Sequence, residues 1–148
     1  MENEKRKQTE EVLAEIYRNA QLALQSISNI LPAVEDEEVK TELLRQHEEY
    51  EQFSARASVL AKDRSIEVKE PNAMKKAMMW GSIKMNTLTD HSRAHIAEMM
   101  VQGTVMGITA LRASAGEVPP EGDPEIIRLL EEMLEKEEEF EKKWKEYI

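Results

Sequence analysis

Cysteine is missing from all 148 residues. Its absence excludes disulfides, zinc–thiolate sites and thiol catalysis, and makes a reducing cytoplasm the expected setting. Aromatics are scarce, with two phenylalanines, two tryptophans and three tyrosines, so the core must be filled by aliphatic residues and methionine. Runs of β-branched residues are lacking too, which leaves little basis for strands. No apolar stretch is long enough to cross a bilayer: IAEMMVQGTVMGITAL is short and is interrupted by Glu98 and Gln102. The opening MENEKRKQTEEV is polar throughout, unlike a signal peptide. No glycine-rich loop precedes a helix start, so a phosphate cradle has no support. Positive charge is also short, with 20 Lys and Arg against 30 Asp and Glu and a net charge of −10. Such a chain repels phosphate backbones and anionic lipid on average, so neither nucleic acid nor membrane is an expected partner.

Helix formers dominate, and the length suits a single domain over residues 1–148. The expected fold is all-α, an antiparallel four-helix bundle. A first helix runs from about Glu4 to Leu31 and stops at Pro32. A second runs from about Asp36 to Arg64, with Asp36 as N-cap and Glu37 and Glu38 in its first turn. A third begins after Pro71 with Asn72 as cap, and a fourth begins at Asp123-Pro124. SAGEVPPEGD, residues 114–123, reads as a loop.

Seams spaced by fours and threes support bundle packing. They are Leu13, Ile16, Ala20, Ala23, Ile27 and Ile30 in the first helix, and Val39, Leu43, Gln46, Tyr50, Phe53, Ala57 and Leu60 in the second. The fourth carries Ile126, Leu130, Met133, Glu137, Phe140, Trp144 and Tyr147. Hairpin symmetry about Pro32 would bring Gln21 level with Gln46 and Tyr17 level with Tyr50.

The third segment is apolar nearly all round and holds seven of the nine methionines, Met74, Met78, Met79, Met85, Met99, Met100 and Met106. As one helix over 72–114 it would run roughly 64 Å, against roughly 44 Å for residues 36–64. It must therefore break near Gly103 and Gly107 or overhang the bundle, and an apolar overhang needs a partner. With Trp80 and Met79 off the main seam, and with Gly103 and Gly107 allowing close approach, this segment is the expected homodimer surface. Thioethers can also bind Cu(I), but methionine is equally an adaptable core filler. The seven linker residues 65–71 reach only about 25 Å, short of the bundle length. Up-down-up-down order is therefore slightly preferred over a ferritin-like crossover between the second and third helices.

Chemistry-bearing residues gather in DHSRAHIAEMMVQG, residues 90–103. His91, His95, Glu98 and Gln102 would share one helical stripe. Imidazole and carboxylate at that spacing suit iron, manganese or zinc, and Glu137 or Glu138 would come level with Glu98 across the 114–123 loop. The candidate metal set is thus His95, Glu98, His91 and Glu137. The plainer reading, and the preferred one, is a buried polar layer that sets helix register, with the seam histidine satisfied by a neighbour. Ser92 lies close to His95 but lacks an evident oxyanion hole.

IYRNAQLALQSI, IKMNTLTDHSRAHIAEMMVQG and TVMGI resemble stretches of an uncharacterised bacterial family of small helical proteins grouped with the ferritin-like bundles. The resemblance covers most of the chain and implies a four-helix bundle, but brings no activity. Di-iron members of the ferritin-like class use Glu-x-x-His pairs. Here Leu44, Leu88 and Ser92 stand three residues before His47, His91 and His95, and only the reversed His95-x-x-Glu98 is present. The expected function is a non-catalytic interaction or small-ligand-binding module that self-associates through its Met-rich third helix. The alternative is a degenerate ferritin-like metal-binding redox or storage protein.

Overall fold

The computed structural model describes residues 2–68, 90–116 and 122–148, with side chains from residue 8 onward. Its elements are α1 (Glu2–Ile30), a 3-10 turn (Leu31–Ala33), α2 (Glu37–Asp63), α3 (Arg93–Ala115) and α4 (Pro124–Lys145). Among the described residues there is no strand, and the four helices pack on one another as an all-α bundle.

Local chemistry sets the helix ends. Asp36 caps α2 by accepting the Val39 amide at 3.0 Å, with Glu37 and Glu38 in the first turn. The far end closes as a Schellman turn. Ile66 N donates to Ala61 O at 2.8 Å, Ser65 N donates to Lys62 O at 3.3 Å, and Ser65 itself sits at φ 54°. Asp123 caps α4 by accepting the Glu125 amide at 3.1 Å, with Pro124 following at the first helical position. Ser92 caps α3 by accepting the His95 amide at 3.2 Å.

That last cap revises the third segment. The described helix begins at Arg93 and runs unbroken through Gly103 and Gly107, so the expected break there does not occur. Two inner-facing rows hold the helix to the bundle on either side of Gly103, with Ile96 and Ala97 buried before it and Thr104, Gly107, Ile108 and Leu111 after it. The Asn72 start, Trp80, and Met74, Met78, Met79 and Met85 lie outside the described residues.

Polar contacts at the bundle ends give the helix directions. Arg93 Nε at the start of α3 donates to Asp36 Oδ2 at the start of α2 at 2.7 Å, and its guanidinium lies 5.4 Å from the Tyr147 ring after α4. At the other end Arg64, just past α2, pairs with Asp123 at the start of α4. So α2 and α3 run parallel, and α4 runs against both. Gln21 Nε2 reaches Ser54 Oγ at 2.7 Å, and Ser28 meets His47 at 3.4 Å, which sets α1 antiparallel to α2.

The order is therefore that of the crossover alternative, and the slight preference for up-down-up-down is corrected. That preference assumed a third helix starting at 72. With α3 starting at Arg93, the seven residues 65–71 do not have to span the bundle by themselves. Gln21 meets Ser54 rather than Gln46. The chain gains height through the 3-10 turn and through Val34 and Glu35 before α2 begins, so the α1–α2 hairpin is not symmetric about Pro32.

The expected seams form the core. Leu13, Ile16, Ala20, Ile27 and Ile30 of α1 are buried, as are Val39, Leu43, Phe53 and Ala57 of α2 and Ile126, Leu130, Met133, Phe140 and Trp144 of α4. Ala23, Leu60 and Tyr147 pack at its edge.

Candidate functional site

Where the seams turn polar, all four helices meet in one layer. Asn19 of α1, Tyr50 of α2 and Glu137 of α4 are buried, and Gly107 of α3 completes the ring. Glu137 Oε1 accepts from Asn19 Nδ2 at 2.6 Å, and Glu137 Oε2 accepts from the Tyr50 hydroxyl at 2.9 Å. Asn19 Nδ2 also lies 3.5 Å from the Gly107 carbonyl. Glycine at 107 leaves this space open: a Cβ there would sit 2.7 Å from Asn19 Oδ1 and 2.9 Å from Glu137 Oε2, and both side chains would have to shift. The missing side chain on α3 makes room for the carboxylate brought by α4.

Electrostatics follow from enclosure. Glu137 is 1% exposed, and burial pushes its carboxyl up to about 7, against the opposing pull of hydrogen bonds from Tyr50 and Asn19. Burial, with the Glu137 charge and hydrogen bond added, raises the Tyr50 hydroxyl well above its ordinary value. Two turns along α4, Trp144 Nε1 donates to Gln46 Oε1 at 2.9 Å, while Gln46 Nε2 has no hydrogen-bond partner. This second polar pair lies inside the core as well.

A carboxyl titrating near neutrality has the right pKa for acid–base work, but catalysis also needs access. Three shallow surface grooves of about 260 to 330 Å³ are lined by other residues, such as Glu11 and Arg18, Glu49 and Glu139, or Val59 and Leu60. Glu137, Tyr50 and Asn19 line none of these three.

The candidate metal set is not brought together. His91 precedes the Ser92 cap and is exposed, so it does not share a helical stripe with His95. Glu98 and Gln102 are exposed. His95 is half-buried, and its Nε2 is enclosed without a hydrogen-bond partner. Glu137 lies beside Gly107, not Glu98. Position 107 is twelve residues past His95, roughly 18 Å along the helix. Among the described residues, no group of three or more His, Asp or Glu side chains is placed to hold a metal ion. The error in register has a physical source. Glu137 and Glu138 meet Gly107 and Arg112, so the α3–α4 hairpin does not fold symmetrically about the 114–123 loop. Its return is fixed by the Asp123 cap tied to Arg64.

Two participants in the layer, Asn19 and Gly107, lie outside the apolar seams. Asn19 is flanked by apolar Ile16 and Ala20 on the buried face of α1, and a lone amide there is the signal to follow. Gly107 and Gly103 share the spacing of a small-residue motif, yet the two serve different surfaces. Gly107 faces inward, whereas Gly103 is exposed and a Cβ there would meet nothing within 4 Å.

No family model matches the sequence, and neither a curated protein nor a solved structure does so.

Proposed function

We propose that the chain is a non-catalytic interaction module that self-associates through the outward face of α3. The observation that carries this reading is an apolar surface on a strongly charged protein. Met106 is 69% exposed and Val105 is 40% exposed, and a Cβ at Gly103, one turn before Met106, would meet nothing within 4 Å. Exposed apolar patches of this kind favour contact with another surface. The inaccessibility of the titrating carboxyl at Glu137 supports a role without catalysis. Sedimentation equilibrium over a wide concentration series tests the reading. The expected result is a mass that rises toward the dimer for the native chain, and a monomer throughout for Met106→Glu. A native chain that stays monomeric at every concentration refutes it.

A further inference from the structure

Each helix packs most extensively on its neighbour in the chain, α1 on α2 and α3 on α4. The bundle is thus two helix pairs joined along a common face. Side-chain hydrogen bonds inside the core cross that face. Asn19 and Tyr50 of the first pair both donate to Glu137 of the second. Gln46 of the first pair accepts from Trp144 of the second at 2.9 Å. The joint is therefore polar in its middle, and its polar groups are not all satisfied. Gln46 is 1% exposed, yet its Nε2 has no acceptor, a deficit that water would relieve.

The joint also holds a carboxyl without a counter-ion. The groups that face Glu137 are Asn19 from α1, Tyr50 from α2 and the backbone of Gly107 from α3. Asn19 is neutral, and Tyr50 stays neutral because its hydroxyl is raised well above its ordinary value. Among the described residues, no charged side chain of α1, α2 or α3 acts on the carboxyl. A buried carboxylate served by two neutral donors is costly, whereas a carboxylic acid in the same place is not. Parting the two pairs lets water reach the carboxylate. The ties at the bundle ends respond differently. Arg93 holds Asp36 below the ordinary carboxylate range, and Arg64 does the same for Asp123. Both ties therefore keep their charge from mildly acidic pH upward.

We infer that the four-helix layer is a proton-controlled joint: with Glu137 protonated the two helix pairs stay closed on each other, and with Glu137 ionised they part more often in the middle while each helix remains folded. Proton loss then admits water to the Gln46–Trp144 contact two turns along α4. This opening is more frequent than global unfolding and distinct from it.

The indole Nε1–H of Trp144 counts such openings, because it is fully buried and bonded across the joint. Its hydrogen exchange is followed by NMR between about pH 5.5 and about pH 8, relative to free tryptophan at each pH. Trp80→Phe identifies the signal. In the open joint the carboxyl titrates at its ordinary 4.5, and in the closed joint at about 7. Linkage makes the open-to-closed ratio climb tenfold per pH unit between those values and level off above them. The expected result is a roughly 25-fold loss of indole protection across the range. At every pH that protection should lie below that of the slowest backbone amides of α2 and α4. In Glu137→Gln the indole protection should not change with pH. In Tyr50→Phe the carboxylate loses one of its donors, so the loss should grow and level off at a higher pH. The three histidines are present in all these chains, so any contribution of theirs appears in each. Constant protection in the native chain, or the same loss in Glu137→Gln, overturns the inference. So does an indole as protected as the slowest amides, which would make global unfolding the only opening. Should Glu137→Gln fail to fold, an unchanged loss in Tyr50→Phe overturns it alone.

Discussion

Replacing Glu137 with glutamine removes an ionisable proton while keeping the size of the side chain. The consequence is worked from its surroundings. Among the described residues, no cationic side chain pairs with the carboxyl. From α1 it receives Asn19, from α2 Tyr50, and from α3 the backbone at Gly107. Burial raises its pKa from 4.5 to about 7. A folded pKa above the unfolded one means that protonation favours the fold. The contribution is complete below about pH 4.5 and is lost as pH rises through about 7. At 1.36 kcal/mol per pKa unit, that loss amounts to about 3 kcal/mol. Glutamine has no such loss. Its carbonyl can accept from Asn19, and its amide can donate to the Tyr50 oxygen once that hydroxyl turns. Urea unfolding followed by circular dichroism, at a mildly acidic and a mildly alkaline pH, measures the difference. Glu137→Gln should lie close to the native chain at the acidic pH and should gain up to about 3 kcal/mol on it at the alkaline pH. The titration of the surface carboxylates is shared by both chains and cancels. A difference that is the same at both pH values, or that shrinks as pH rises, would refute the account of the layer.

The glycines give a paired test. Gly107→Ala should cost roughly 1–3 kcal/mol through contact with Asn19 and Glu137, despite the better helix former. Gly103→Ala, which meets nothing, should gain about 1 kcal/mol. Thermal melts read both, and equal effects at the two sites would undo the assignment of inner and outer faces. Ser65→Gly should stabilise the end of α2 by about 0.5–1 kcal/mol, because a left-handed C′ residue favours glycine. A loss in denaturant midpoint would refute that.

Fold class and core could be read from the sequence because period-3.6 burial leaves its mark residue by residue. The seams of α1, α2 and α4 can be read from their leucines, isoleucines and aromatics alone. Relative register could not be read in this way. It depends on how far a connection climbs before the next helix starts. The 3-10 turn with Val34 and the Asp123–Arg64 tie each displace a helix along its neighbour by about two turns. That displacement moved Glu137 from Glu98 to Gly107 and dissolved the expected histidine–glutamate set. Helix direction failed for a related reason, since apolar Met-rich composition does not reveal where α3 starts. The Ser92 cap does, although DHSRAH carries the same residue types that suggest a ligand stripe.

The parallel course of α2 and α3 bears on how the molecule assembles. The pairs α1 with α2 and α3 with α4 are each consecutive in the chain, and they are connected at opposite ends of the bundle. Glu137 then joins residues 118 and 87 positions earlier in the chain. Contacts so distant in sequence carry the largest loop-closure cost, so the hairpins are poised to form first and their docking to set the folding rate. A docking slipped by one turn would bury the Glu137 carboxyl away from both of its donors. The four-helix layer thus favours one alignment of the two halves at the step where the chain has the most ways to go wrong.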